Sequence, residues 1–231
     1  MHCLPKWTEL LITVVIIDYL TIATIVVKQP TAGLLITRTR AMRVTKERAA
    51  ENRERILTAA ARLFRERGVS EVGMDVLADA VGMTHGSLYS QFDSKEHLAT
   101  EALGRAFDAS AAKYGEVETL SAYVERYLSP RHRDTPGSGC AIATLGCEVS
   151  RQSTAMRQTF TEGLRRMMER LTRLLGPKAR RKRENEALAI VATLVGGMIL
   201  ARAVDDRELS DRILAACRAR LKRIQGWLPA A

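Results

Sequence analysis

The sequence is poor in aromatic residues, in acid relative to base, and in paired cysteines. Aromatics make up only 5% of the 231 residues, while hydrophobic residues reach 46% with many Ala and Leu. That balance favours helices over sheets. The four cysteines, Cys3, Cys140, Cys147 and Cys217, lack the C-x-x-C spacing of a zinc site. They read as small apolar core residues of a protein in a reducing cytoplasm. No metal or cofactor is expected. Cys140, Cys147, Glu148 and His132 are the best ingredients for chemistry, yet none stands at nucleophile-and-base spacing from another. An enzyme is therefore not expected.

Base outweighs acid by a formal net charge of +10. Such an excess attracts polyanions, which makes nucleic acid the first partner to consider. The length suits one domain or two modest ones, with ample material for a core.

One stretch organises the rest. Met74 to Lys95 reads MDVLADAVGMTHGSLYSQFDSK. Val76, Leu77, Ala80 and Val81 recur at helical spacing. Gly82 follows where the chain must turn sharply, in a conformation that glycine adopts at least cost. Thr84 is placed to cap the next helix, a barely two-turn segment with Leu88 inward and Thr84, His85, Ser87, Tyr89 and Gln91 outward. Two short helices about a glycine turn are the pattern of a helix-turn-helix at about 74–92, whose second helix enters the DNA major groove. A packed helical hairpin is the alternative that spacing alone leaves open.

The run ILTAAARLFRERGVSEVGMDVLADAVGMTHGSLYSQFDSKEHLATEAL, within Arg53 to Leu103, resembles the DNA-binding domain of the TetR/AcrR family of bacterial transcriptional regulators. Ala78, Ala80, Gly82, Gly86, Leu88, Tyr89, Phe92, Ser94, Lys95 and Glu96 all stand in that family's register. The resemblance covers about a quarter of the chain. It implies an all-α dimer, with a DNA-binding domain at 46–109 and a C-terminal ligand-binding and dimerisation domain at 116–228. Two departures, Met74 for a common threonine and His85 for a common lysine, put the operator sequence out of reach.

The first forty residues contain an apolar run, 10–27, about long enough to span a bilayer. Asp18 near its middle opposes insertion by roughly 3 kcal/mol, and no A-x-A cleavage site follows. Two readings stay open. The run is a membrane anchor, or residues 1–41 are an extension upstream of the start at Met42, where MRVTKERAAENRERIL resembles an ordinary TetR-type beginning. The second reading is favoured, so a membrane partner is not expected. Without residues 1–41 the net charge remains basic, at +8.

Lys46 to about Arg67 reads as an amphipathic helix with Ile56, Ala60, Leu63 and Phe64 inward and Gly68 closing it. Arg53, Arg55, Arg62 and Arg65 are read as a mostly solvated face. Asp93 or Ser94 starts the helix after the recognition element, with Asp93 and Glu96 as a capping box. Farther on, 129–139 is expected to be a loop from its Pro and Gly content, and 178–183 a solvated basic connection. Cys140, Thr144 and Cys147 share a face of the segment 140–152, and similar segments in the family line the ligand cavity. A helix capped by Ser153 should turn Met156, Phe160, Leu164, Met167, Leu171 and Leu174 inward. The last two helices, within 184–224, should turn Leu188, Val191, Leu194, Val195, Met198 and Ile199, and then Leu209, Ile213, Cys217, Leu221 and Ile224, inward. Asp205 and Glu208 are the expected capping box between them. By resemblance this pair forms a four-helix bundle with a second copy.

The expected function is a cytoplasmic, ligand-released repressor that binds a near-palindromic operator on double-stranded DNA. His85, Gly86 and Ser87 would lie nearest the base edges, and Thr84, Tyr89, Lys95, Lys46 and Arg48 on phosphates. A small-molecule inducer of unspecified identity completes the set of partners.

Overall fold

The computed structural model describes residues 46–176 and 180–224, all within one unit spanning 44–231. The anchor and extension readings of 1–41, Cys3, and residues 178 and 179 of the basic run lie outside the described residues. Every regular element among those described is helical: α1 Lys46–Arg67, α2 Met74–Val81, α3 His85–Tyr89, α4 Lys95–Gly115, α5 Leu120–Tyr127, α6 Pro130–Asp134, α7 Ala141–Val149, α8 Thr154–Leu174, α9 Arg180–Ala203 and α10 Arg207–Ile224. One turn of 3₁₀ helix, Pro136–Ser138, precedes α7.

The first three helices share a small core. Ile56, Ala60, Leu63 and Phe64 of α1 are buried with Leu77, Ala78 and Val81 of α2 and Leu88 of α3, closed by Phe92 and Leu98. The α2 face is turned slightly from the expected one. Ala78 is buried, Val76 half-buried and Ala80 exposed, because an eight-residue helix offers only one narrow stripe to α1.

Two arginines expected on a solvated face are engaged instead, and a third is half-buried. Arg53 stacks over the Phe92 ring, 4.2 Å from its centroid, and donates to the Gln91 carbonyl and the Glu101 carboxylate. Arg55 donates to the Val81 carbonyl at 2.7 Å, satisfying the C-terminal end of α2. Arg65 is withdrawn from solvent, and burial lowers its pKa. Only Arg62 behaves as expected, pairing with Glu66 one turn on.

The cap of α4 is Ser94, whose hydroxyl accepts from the His97 N–H at 3.0 Å, so Asp93 is not the capping residue. The segment 129–139 is not a plain loop. Ser129 caps α6 with Pro130 in its first turn, where a missing N–H costs nothing. The basic run enters α9 from Arg180 onward. Asp206, not Asp205, caps α10 by accepting from the Leu209 N–H.

Packing in the second half follows the expected register in part. Met156 and Leu171 of α8 and Ile190, Val191, Leu194 and Met198 of α9 are buried, with Leu214 and Leu221 of α10. Leu188 and Leu209 are exposed, contrary to expectation; Leu200, for which no side was expected, is exposed as well. The side chain of Ile224 lies outside the described set. By length and apolarity α9 is the one described helix that could cross a membrane, but its apolar residues are divided between this core and an exposed stripe. Of the described cysteines, Cys140 is buried, Cys217 half-buried and Cys147 exposed.

Candidate nucleic-acid interface and ligand cavity

Gly82 closes α2 with φ +64°, and the Met83 N–H returns to the Ala78 carbonyl. Thr84 then caps α3, its hydroxyl oxygen accepting from the Ser87 N–H at 3.3 Å and lying 2.8 Å from the Ser87 hydroxyl. Leu88, fully buried, pins the short helix. With that residue inward, Thr84, His85, Gly86, Ser87 and Tyr89 are exposed. Tyr89 is 47% exposed, unusually so for a large ring. His85 packs edge-to-face against it at 5.0 Å, and its Nε2 lies 3.2 Å from a carboxylate oxygen of Asp75 on α2.

The remaining expected DNA contacts are placed differently from one another. Lys46 and Arg48 are exposed at the start of α1. Lys95, half-buried in the first turn of α4, reaches back to donate to the Ser70 carbonyl at 3.3 Å. Its ammonium is thus tied to the α1–α2 turn. Beside it, Glu148 of α7 accepts from the N–H groups of Val69 and Ser70 and from the Ser70 hydroxyl. Burial by itself raises the Glu148 pKa, but these donors outweigh it and hold the carboxyl below its ordinary value.

Behind these helices lies a cavity of about 300 Å³ among α4, α5, α7 and α8. Phe107, Tyr114, Tyr123, Tyr127, Ile142 and Met167 form much of its wall, and Cys140 contributes its thiol. Thr144 is half-buried and bonds back to the Cys140 and Ala141 carbonyls, while Cys147 is exposed. Neither lines the cavity. Gly163 of α8 meets Phe107 of α4 so closely that a Cβ there would come 2.3 Å from the ring. A larger depression of about 670 Å³, lined by Glu54, Arg55, Arg62, Arg65 and Lys113 among others, is open and charged, a solvated cleft rather than an enclosed site.

His132 forms the bracket behind the cavity. Its Nδ1 donates to the Tyr127 carbonyl at 2.6 Å, and its Nε2 accepts from the Cys140 N–H at 2.9 Å. This pairing requires the neutral ring. Burial is the main cause that lowers its pKa to about 4. Its two nitrogens are thereby committed to the backbone, and no group of three or more metal-ligating side chains occurs among the described residues.

Residues 56–102 match the family described as bacterial regulatory proteins, tetR family. Over that segment the chain is TetR-like. It is 33% identical over 116 residues to the transcriptional repressor KstR2 of Rhodococcus jostii, covering 48% of this chain and 57% of that protein. It is 38% identical to the regulator AcrR of Shigella flexneri over 33% of this chain and 34% of that one. The matches thus span about a third to just over half of these relatives, which are named as transcriptional regulators rather than enzymes. The fold extends further: the reduced form of Escherichia coli NemR superposes with a TM-score of 0.64 at 24% identity, over 75% of this chain and 97% of that one. A TetR regulator from Agrobacterium tumefaciens gives 0.65 at 20% identity, over 76% and 98%. TetR-family regulators bind DNA and small-molecule ligands and act as dimers.

Sequence reasoning missed Arg53, Arg55 and Glu148 as parts of this TetR-type head. Each acts on a partner 26 to 79 residues away, so no local spacing announces it.

Proposed function

We propose that this chain is a cytoplasmic transcriptional repressor, released from a near-palindromic operator when a small molecule enters the α4–α8 cavity. The single observation that carries the reading is the exposed set His85, Gly86, Ser87 and Tyr89 on a short helix pinned by Leu88. Side chains on such a face serve DNA better than they serve packing. His85, Gly86 and Ser87 approach base edges, while Thr84, Tyr89, Lys46 and Arg48 contact phosphate. Lys95 reaches phosphate only by exchanging its bond to Ser70, so it ranks below Tyr89. Residues 46–109 act as the reading head and 116–228 as the ligand and dimer domain, joined by α4. Among the residues first considered for the ligand, Cys140 keeps a role at the cavity wall.

The dimer forms through 184–224. Leu188, Ala192, Gly196, Ile199, Leu200 and Ala203 fall on one face of α9, and Leu188 and Leu200 are 46% and 57% exposed. A stripe of leucines and small residues suits close packing against a second copy.

The test is a mobility shift on the DNA upstream of the gene. Binding should weaken steeply with salt, as counterion release requires. Tyr89→Ala should reduce affinity. Unchanged affinity would remove Tyr89 from the interface, and salt-independent binding would refute the phosphate contacts as a whole.

A further inference from the structure

The cavity has polar features that an apolar ligand would leave unused. Tyr114 and Tyr127 are 6% and 1% exposed, and neither buried hydroxyl meets an oxygen or nitrogen partner; that of Tyr127 has only the Cys140 thiol, a weak one, beside it. A buried hydroxyl in that condition costs free energy until something accepts from it. The Nε of Arg170, also buried, is likewise unpartnered. Native proteins carry few such groups, and here three belong to residues lining one cavity.

The charges lie on one wall. Gly163, Arg166, Met167, Arg170 and Arg173 follow one another at helical spacing along α8 and all line the cavity, with Glu169 the one acid among its lining residues. Arg166 is paired with Asp108, and Arg170 holds the Gly115 and Val117 carbonyls through Nη2. Arg173 is exposed. Cations therefore outnumber acids around the lining. The opposite walls are flat and aromatic: Tyr123 and Tyr127 lie nearly parallel, 12° apart, with Tyr114 4.8 Å from Tyr123.

We infer that the cavity selects a flat aromatic acid bearing a second oxygen, its ring against the tyrosines, its carboxylate toward Arg170 and Arg173, and its far oxygen accepting from Tyr114 and Tyr127. This rests on the reading of the cavity as the inducer site and names the chemical class it takes. The volume of about 300 Å³ suits one or two fused rings. The guanidinium groups give the carboxylate charge-assisted bonds, and the phenols give directional donors that a hydrocarbon cannot use.

Calorimetry on the full chain with four probes of one ring system tests this: 6-hydroxy-2-naphthoate, 2-naphthoate, 2-naphthol and 2-naphthylmethylamine. The hydroxy acid should bind tightest and the amine weakest, with acid over amine roughly tenfold or more. Tyr127→Phe should erase the advantage of the hydroxy acid over 2-naphthoate. Arg173→Gln, at an exposed position, should shrink the preference for acid over amine. If the amine binds as tightly as the acids, the selection for an anion is wrong and the inducer site stands. If none of the four binds at millimolar concentration, both the selection and the site fall.

Discussion

Glu148 holds Ser70 by two contacts, accepting from its N–H and from its hydroxyl, each at 2.7 Å. The first residue sits on a helix of the cavity and the second in the turn that precedes the recognition unit. A carboxylate thus grips main-chain donors 78 residues away in sequence. Because Lys95 donates to the Ser70 carbonyl, the turn is held from both sides. The grip ties α7 to the α1–α2 turn.

Glu148→Ala should destabilise the protein by about 2 kcal/mol, the cost of leaving backbone donors without a charged acceptor. Urea unfolding measures that loss. Hydrogen exchange at Val69 and Ser70 should accelerate by more than exchange in α8, and equal acceleration in both would show that the grip is not local.

His132 makes stability depend on pH. The unfolded ring protonates near its ordinary value of 6.5, whereas the folded ring resists until about 4. Between those values the unfolded state binds more protons, so stability falls as pH falls, by up to about 3 kcal/mol in total. His132→Asn should flatten that part of the profile in thermal melts from pH 7 to pH 4. The Glu148 carboxyl, held low, adds a further loss below its ordinary range.

Arg53→Met should loosen the recognition unit. It removes the ring contact to Phe92 and the bonds to Gln91 and Glu101, at about 1–2 kcal/mol for a half-exposed group. Operator affinity should drop although residue 53 lies off the recognition helix. Retained affinity with reduced stability would make Arg53 a purely structural clamp.

Gly163→Ala places a methyl group against the Phe107 ring, where only displacement of the ring relieves the clash. Overpacking of this kind costs about 1–3 kcal/mol. The variant should also lose binding of the naphthalene probes, since both residues line the cavity.

Leu200→Glu should convert the protein to monomers in sedimentation experiments, with far-ultraviolet dichroism unchanged. Leu200 is 57% exposed, so the substitution leaves the core intact. Persistence of the dimer would place the interface elsewhere.

What was legible in the sequence was local. Gly82 and Thr84 announce the turn and the cap within four residues, and Ile56, Ala60, Leu63 and Phe64 announce the buried side of α1 by spacing. The α6 helix carried a local signal too: Ser129 before Pro130 is a cap followed by a first-turn proline, which the Pro and Gly content of 129–139 concealed. Arg53 and Arg55 read as a solvated face because their carbonyl partners are brought near only by tertiary packing, and His132 read as an ingredient for chemistry although nearby backbone groups occupy both its ring nitrogens. Leu188 and Leu209 misled in the opposite sense, since periodicity marks an apolar face without saying whether it meets the same chain.

The brackets around α3 have one more property. Arg53 and Arg55 hold the segment through the carbonyls of Gln91 and Val81, groups that every amino acid supplies. Residues 85, 86, 87 and 89 can therefore be exchanged while the scaffold that aims them stays as it is. On the proposed reading, a new operator preference is reachable through a few surface substitutions, so the head is a part in which specificity can drift across generations without first being repaired for folding.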